Sequence, residues 1–297
     1  MSENKNKNPH KAGFVNIIGK PNAGKSTLMN ALVGEKLAII TSKAQTTRHR
    51  LIGMVNGADF QVIYSDTPGI IETKNKLQER MMGFVRSSFK DADVLLVMVE
   101  PKENDISVFL ERVEKNPAKK IFILNKCDLL SEDEVEDELS YWKIKTNCDH
   151  YMAVSALKGE NLKELFALIL EHLPVHPPFY DKEELTDRPV KFFISEIIRQ
   201  KIFQNYHQEI PYATEVEVEI YQEEPKIDRI RAIIYVAKES QKPIVIGRHG
   251  SKLKTVGSQA RMDMEKFLDK KVYLELFVKV RDNWRDDEKQ LSRFGYE

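Results

Sequence analysis

Gly19-Lys20-Pro21-Asn22-Ala23-Gly24-Lys25-Ser26, running on into Thr27, is the stretch on which the reading of this chain turns. It fits G-x-x-x-x-G-K-[ST], the phosphate-cradling P-loop. Phe14–Ile18 before it is short and apolar and reads as a buried strand. Thr27–Val33 after it reads as a helix closed by Gly34. The order has a physical basis. Glycines let the backbone wrap a phosphate with no Cβ in the way, and the amides and dipole of the following helix favour an anion. In that geometry Lys25 reaches the β- and γ-phosphates and the Ser26 hydroxyl binds Mg²⁺.

The composition sets bounds on everything else. With 297 residues there is room for two domains, and 41% hydrophobic with 31% charged residues suits a globular protein. The formal net charge is +0, so any RNA or membrane contact must use a local patch. Cys127 and Cys148 make no disulfide framework. Ser2–Lys11 is polar and Asn/Lys-rich and reads as a disordered tail, not a signal peptide. No apolar run approaches the roughly 18 residues of a membrane span.

Glu35–Arg48 is polar and aperiodic, a candidate mobile loop. Its threonines, Thr41, Thr46 and Thr47, offer a hydroxyl that could complete Mg²⁺ coordination when a γ-phosphate is present. His49–Val55 and Phe60–Tyr64 read as strands joined by Asn56-Gly57, a hairpin signal that implies one antiparallel edge. The second strand runs into Asp66-Thr67-Pro68-Gly69. Asp66 is placed to hold Mg²⁺ through water, and the Gly69 amide to sense the γ-phosphate. A helix over Leu77–Phe89, a strand over Val94–Val99, a helix within Ile106–Lys115 and a strand over Ile121–Leu124 follow. The last delivers Asn125-Lys126-Cys127-Asp128. A carboxylate can accept hydrogen bonds from N1–H and the 2-amino group of guanine, and adenine has no such donor pair. Asp128 takes that role, with Asn125 bracing the loops and Lys126 covering the base. An acidic helix over Leu129–Ile144 and a strand over Tyr151–Val154 lead to Ser155-Ala156, where the Ala156 amide can meet the guanine O6. Strands and helices alternate as in a doubly wound, mainly parallel α/β sheet of six strands, and the sites fall at strand carboxyl ends.

The Pro-rich stretch Leu173–Tyr180 ends this half. The expected divisions are a tail over 1–12, a nucleotide domain over 13–174, a linker over 175–190, an α+β domain over 191–282 and a charged tail over 283–297. In the second domain a helix over Phe192–Gln208, strands over Thr214–Tyr221 and Ile230–Ala237, Gly247-Arg248-His249-Gly250, a helix over Ser251–Leu268 and a strand over Val272–Val280 follow in turn. Helix, strand, strand, short helix, G-x-x-G, helix, strand is the order of a KH module, which clamps about four nucleotides of single-stranded RNA. Here Ile246, Gly247, Arg248, His249, Gly250, Lys252 and Lys254 would meet the RNA.

The motifs GKPNAGKS, QTTRH, DTPGI, NKCD and VSA, with VIGRHG and VRDNWR after them, resemble the Era GTPase family from about Gly13 to the end. The resemblance implies a P-loop GTPase domain followed by a type II KH domain. It implies GTP and GDP held by Gly19–Thr27, Asp66–Ile70, Asn125, Lys126, Asp128, Ser155 and Ala156. Mg²⁺ falls to Ser26, Asp66 and Thr47, with Thr47 preferred to Thr46, and catalysis to Lys25, Thr47 and Gly69. It also implies a monomeric cytoplasmic protein that binds the 3′ end of 16S ribosomal RNA, assists 30S subunit assembly and associates peripherally with the inner membrane. Another RNA, an RNA chaperone whose nucleotide only sets affinity, and a membrane-linked GTPase are the alternatives. One departure from Ras-like enzymes is that Ile70 stands where a glutamine would orient the attacking water. Asn22 and the Thr41–Thr46 loop match potassium-dependent relatives, so K⁺ is a candidate further cation.

Overall fold

The computed structural model describes residues 9–296, so most of the expected N-terminal tail lies outside the described residues. The chain divides into two units. The first comprises the chain up to Ala38, Thr47–Glu72 and Met81–Asp187. The second comprises Ile39–Thr46, Thr73–Arg80 and the chain from Arg188.

The first unit holds β1 (Lys11–Gly19), α1 (Lys25–Val33), β2 (Leu51–Asn56), β3 (Phe60–Asp66) and most of α2 (Lys76–Lys90). It continues with β4 (Val94–Val99), α3 (Ser107–Lys115), β5 (Lys119–Leu124), α4 (Glu132–Lys145), β6 (His150–Ala153) and α5 (Leu162–His172). The strands form one six-stranded sheet in the order β2-β3-β1-β4-β5-β6. All pairings are parallel except β2 with β3, which gives the expected antiparallel edge. Every residue of β4 is buried, which is why its sequence is continuously apolar and does not alternate. Trp142 of α4 packs on Phe122 of β5 with ring centroids 5.2 Å apart.

The expected hairpin joins β2 to β3, and one helix start is corrected. Residues 57–59 form the loop, Gly57 N–H donates to the Phe60 carbonyl at 2.9 Å, and neither Asn56 nor Gly57 is left-handed. A Cβ on Gly57 would lie 2.2 Å from the Phe60 ring as it is placed. The acidic helix starts at Glu132, not Leu129. Ser131 and Glu134 form a capping box, which fixes the first turn, and Cys127–Leu129 forms a separate 3-10 turn.

The second unit contains α6 (Val190–Asn205), α7 (Ile210–Ala213), β7 (Thr214–Gln222), β8 (Ile227–Val236), α8 (Gln241–Ile246), α9 (Ser251–Leu268), β9 (Lys271–Val280) and α10 (Glu288–Arg293). Its sheet runs β7-β8-β9, antiparallel then parallel, with a register shift between Val218 and Ile220. Ile194, Ile198 and Ile202 of α6 and Val256, Ala260 and Met264 of α9 bury the inner face of this sheet. Trp284 is fully buried and its indole N–H donates to the Ala213 carbonyl at 3.0 Å, so the tail packs as part of the unit. Ile39–Thr46 is held within the same unit. Gln200 donates to the Ile40 carbonyl at 2.9 Å, Arg199 donates to the Thr46 carbonyl, and the Lys43 ammonium donates to the carbonyls of Phe203, in α6, and of Tyr206, just after it.

Candidate nucleotide and nucleic-acid sites

Five loops at the carboxyl ends of β1, β3, β5 and β6 and before β2 carry the nucleotide-site residues, all in the first unit. Gly24 opens α1 with φ 98°, a left-handed conformation that costs an L side chain roughly 1–2 kcal/mol. Lys25 is buried, and its ammonium donates to the carbonyls of Gly19 at 3.1 Å and Lys20 at 2.8 Å. Burial lowers its pKa to about 8, against the opposing pull of the Asp66 carboxylate. A phosphate would give this ammonium a stronger partner than two carbonyls. The Lys20 side chain is paired with Glu103 at 3.1 Å, and exposed Asn22 has φ 68°.

At the foot of the P-loop three oxygen-bearing side chains converge. The Ser26 hydroxyl donates to Asp66 Oδ2 at 2.5 Å and lies 2.9 Å from the Thr47 hydroxyl, which is 3.3 Å from the same carboxylate oxygen. Asp66 is fully buried, and Oδ1 has no hydrogen-bond partner among the described residues. Desolvation raises the Asp66 pKa, opposed first by Lys25 and then by the hydrogen bonds from Ser26 and Thr47. Hydroxyl and carboxylate oxygens around an unsatisfied buried carboxylate suit a hard divalent cation such as Mg²⁺. Thr46 does not join them. Its hydroxyl donates to the Lys43 carbonyl at 2.7 Å and lies 2.5 Å from the Thr41 hydroxyl.

Thr67 Oγ1 donates to the Ile17 carbonyl at 3.0 Å, and Ile70 N–H donates to the Gly19 carbonyl at 3.3 Å. Ile70 is buried, and a Cβ on Gly69 would lie 2.6 Å from the Pro21 nitrogen, so this loop rests directly on the P-loop.

The base-reading residues form one braced group. The Asn125 side chain donates to the Ala23 carbonyl at 2.8 Å and accepts from the Ala156 N–H at 3.0 Å, tying P-loop, β5 and β6 ends together. The Ala156 amide, expected to face guanine O6, is thus directed to Asn125. Ser155 Oγ donates to Asp128 Oδ1 at 2.6 Å, which fixes the carboxylate. Lys126, at φ 63°, pairs with Glu100. Glu100 and Glu103 had escaped the sequence reading, since isolated acids in a loop carry no spacing signal.

In the second unit, Gly247 (φ 74°, ψ 173°) and Gly250 (φ 76°) flank a tight turn between α8 and α9, with His249 also at positive φ. A Cβ on Gly247 would lie 2.8 Å from Lys252 Cγ. Arg248, His249, Lys252 and Lys254 are exposed around this turn, Ile246 is half-buried, and Ile244 is 44% exposed beside it. All seven residues expected at the RNA therefore cluster, with the α9 amides behind them.

Comparison with known proteins identifies the family. A family model described as 50S ribosome-binding GTPase matches residues 14–126, and a KH domain model matches residues 209–285. The GTPase Era of Caldanaerobacter subterraneus subsp. tengcongensis is 41% identical over 295 residues, covering 97% of this chain and 98% of that protein. The chain belongs to the Era GTPase family. It is a GTPase with a C-terminal KH domain, and GTP, GDP and Mg²⁺ are its ligands. A crystal structure of Era in complex with MgGDPNP and nucleotides 1506–1542 of 16S ribosomal RNA is similar, at TM-score 0.92 and 35% identity over 97% of this chain and 99% of that one. So is Aquifex aeolicus Era bound to GDP and aluminium tetrafluoride, at TM-score 0.91 and 36% identity over 96% of this chain and 99% of that one.

Proposed function

We propose that the chain is a GTP-driven switch that binds the 3′ end of small-subunit ribosomal RNA and assists 30S assembly. The observation that carries this reading is one chain holding the Ser26–Thr47–Asp66 oxygen cluster with a braced Asp128, and the Gly247–Gly250 turn ringed by cations. The relative crystallised with MgGDPNP and 16S ribosomal RNA supports the choice of RNA.

The reaction is in-line attack of water on the γ-phosphorus, giving GDP and inorganic phosphate. Lys25 exchanges its two carbonyl partners for β- and γ-phosphate oxygens and balances their charge. Ser26 and Thr47 offer hydroxyl oxygens and Asp66 a carboxylate to Mg²⁺, which when bound offsets charge on those oxygens. The Gly69 amide, in the loop that rests on the P-loop, is the donor for the γ-phosphate. Asp128 accepts from N1–H and the 2-amino group of guanine, with Ser155 fixing its rotamer and Asn125 holding the loops in register. Ile70 cannot orient water, so intrinsic turnover is slow, and the water is placed by backbone, by a partner or by K⁺ near Asn22. Arg248, Lys252 and Lys254 receive RNA phosphates at the Gly247–Gly250 turn, where an added side chain would block approach.

The site of action is the cytoplasm, where ribosomal subunits assemble, and peripheral membrane attachment is a separate expectation to be checked by liposome flotation. Among the described residues no helix is long and apolar enough to cross a membrane. The deciding experiment is GTP turnover in KCl with and without single-stranded RNA from the 3′ end of small-subunit ribosomal RNA. Stimulation that disappears in the Gly247→Asp, Gly250→Asp variant is expected. RNA that neither binds nor changes the rate would refute the RNA half and leave the GTPase.

A further inference from the structure

The turn that follows β4 carries two carboxylates, and each holds a lysine of the nucleotide site: Glu100 pairs with Lys126, and Glu103 with Lys20. Glu100-Pro101-Lys102-Glu103 has the pattern of a type II turn, with proline second and a positive φ third. Glu103 N–H donates to the Glu100 carbonyl at 3.1 Å, and Lys102 has φ 65°. On one side the turn is tied to α4, where Lys102 N–H donates to Glu138 Oε1 at 3.0 Å. On the other, Glu103 Oε1 accepts from the amides of Asn104 at 3.0 Å and Asp105 at 3.1 Å as well as from the Lys20 ammonium at 3.1 Å. Glu100 therefore stands on a turn whose shape is fixed from several directions.

β4 and β5 run parallel with Val99 opposite Leu124, and Asn125 N–H donates to the Val99 carbonyl at 2.9 Å. The two chains leave the sheet side by side, which brings Glu100 next to the Asn125-Lys126 step. Lys126 takes φ 63° and ψ 34°, a left-handed conformation that an L side chain disfavours. Glycine or asparagine would hold that backbone more easily, so a lysine there points to a use for its side chain. Its ammonium pairs with the Glu100 carboxylate. Glu100 in turn lines a narrow cleft with Lys20 and Ala23 of the phosphate loop. The Lys126 stem starts two residues from Asp128 and ends beside the phosphate loop, so it spans the interval that a guanosine held between those two loops occupies.

We propose that Glu100 is a positioning residue for nucleotide retention: it anchors the Lys126 ammonium, and the anchored stem lies over the face of the guanine. This rests on the reading of Asn125–Asp128 as the guanine loop and extends it to a residue at the end of another strand. A lysine stem has four rotatable bonds, and holding it extended costs rotamer entropy. The ion pair meets that cost before the nucleotide arrives, which is preorganisation. The pair adds little to the stability of the fold, because the side chains are 33% exposed for Lys126 and 36% for Glu100, and pairs so open to water are weak. Its effect falls on the bound nucleotide: a stem that stays over the base keeps water off the ring face and slows release. Glu103 does the matching work on the phosphate side, since its grip on Lys20 fixes the residue whose carbonyl receives the Lys25 ammonium at 2.8 Å. Glu100 acts at the base, and the chemistry occurs at the γ-phosphate, the opposite end of the nucleotide. Losing Glu100 therefore changes retention and leaves the hydrolytic step alone.

Release of a fluorescent GDP analogue from the full chain, followed by stopped flow, tests this. Glu100→Ala should speed release about fivefold, and Glu100→Gln, which keeps an acceptor oxygen but not the charge, about twofold. Single-turnover hydrolysis at saturating GTP should keep its wild-type rate, and the thermal unfolding midpoint without nucleotide should not move. Lys126→Ala should speed release at least as much as Glu100→Ala. Adding Glu100→Ala to Lys126→Ala should change nothing further, because the anchor then has nothing to hold. Inosine diphosphate lacks the 2-amino group but offers a purine face, so Glu100→Ala should speed its release by the same factor. A wild-type release rate in folded Glu100→Ala overturns the proposal, and so does an undiminished effect of Glu100→Ala in the Lys126→Ala background. A different factor for inosine diphosphate overturns it in favour of an action through Asp128. Wild-type release from Lys126→Ala would overturn the underlying reading of the guanine loop.

Discussion

An ideal Cβ placed on Gly24 would lie 2.2 Å from the side-chain amide nitrogen of Asn125. Two residues about a hundred positions apart thus press together at the point where the phosphate loop meets the base-reading loop. Gly24→Ala is expected to force the left-handed backbone into strain and to push Asn125 off Ala23 and Ala156. Strain of roughly 1–2 kcal/mol and two net hydrogen bonds of about 1 kcal/mol each give a loss of GDP affinity on the order of a few hundredfold. Titration with a fluorescent GDP analogue measures it, and a loss below threefold would refute the coupling.

Ser155 holds Asp128 through a 2.6 Å hydrogen bond from outside the base pocket. Ser155→Ala should therefore weaken GTP about tenfold, the value of a hydrogen bond to a charged group, and leave the thermal unfolding midpoint nearly unchanged. Asp128→Asn should go further and change preference. An amide offers one donor and one acceptor, which match xanthine and mismatch guanine, so competition by XTP should overtake GTP.

The lowered pKa of Lys25 predicts a proton exchange. The folded group titrates near 8 and the unfolded one near 10.5, so between those values the unfolded chain binds the extra proton and stability rises with pH. Nucleotide phosphate favours the charged ammonium, so binding should take up a fraction of a proton at about pH 9 and close to none at about pH 6.5. Calorimetry in two buffers of different ionisation enthalpy checks this. Lys25→Arg should show no uptake, since its guanidinium does not titrate there.

Thr46 and Thr47 are adjacent in sequence but face different partners. Thr47 lies 2.9 Å from the Ser26 hydroxyl, whereas the Thr46 hydroxyl is engaged by Lys43 and Thr41. Thr47→Ala should lower single-turnover hydrolysis at saturating GTP by at least about tenfold and raise the Mg²⁺ concentration needed. Thr46→Ala should hydrolyse at close to the wild-type rate. Equal losses would contradict the assignment of the cation to Thr47.

Much of the architecture was legible in the residues because its causes are local. Continuous apolar runs such as Val94–Val99 mark strands covered on both faces, and β5 and β6 deliver Asn125 and Ser155 to the same edge because parallel strands share a direction. Where a second cause competed, local reading failed. Leu129 promised a helix start, but the Ser131–Glu134 capping box set it later.

By itself the sequence determined the two kinds of domain, the order of the phosphate, cation and base motifs, and the G-x-x-G turn, since each is a short pattern whose chemistry lies in its own residues. Only the tertiary structure decided which threonine meets Asp66, that the Ala156 amide turns to Asn125, and that Glu100 and Glu103 hold Lys126 and Lys20. Those relations join residues from different elements, and only the packing of sheet, helix and tail fixes the distances between them.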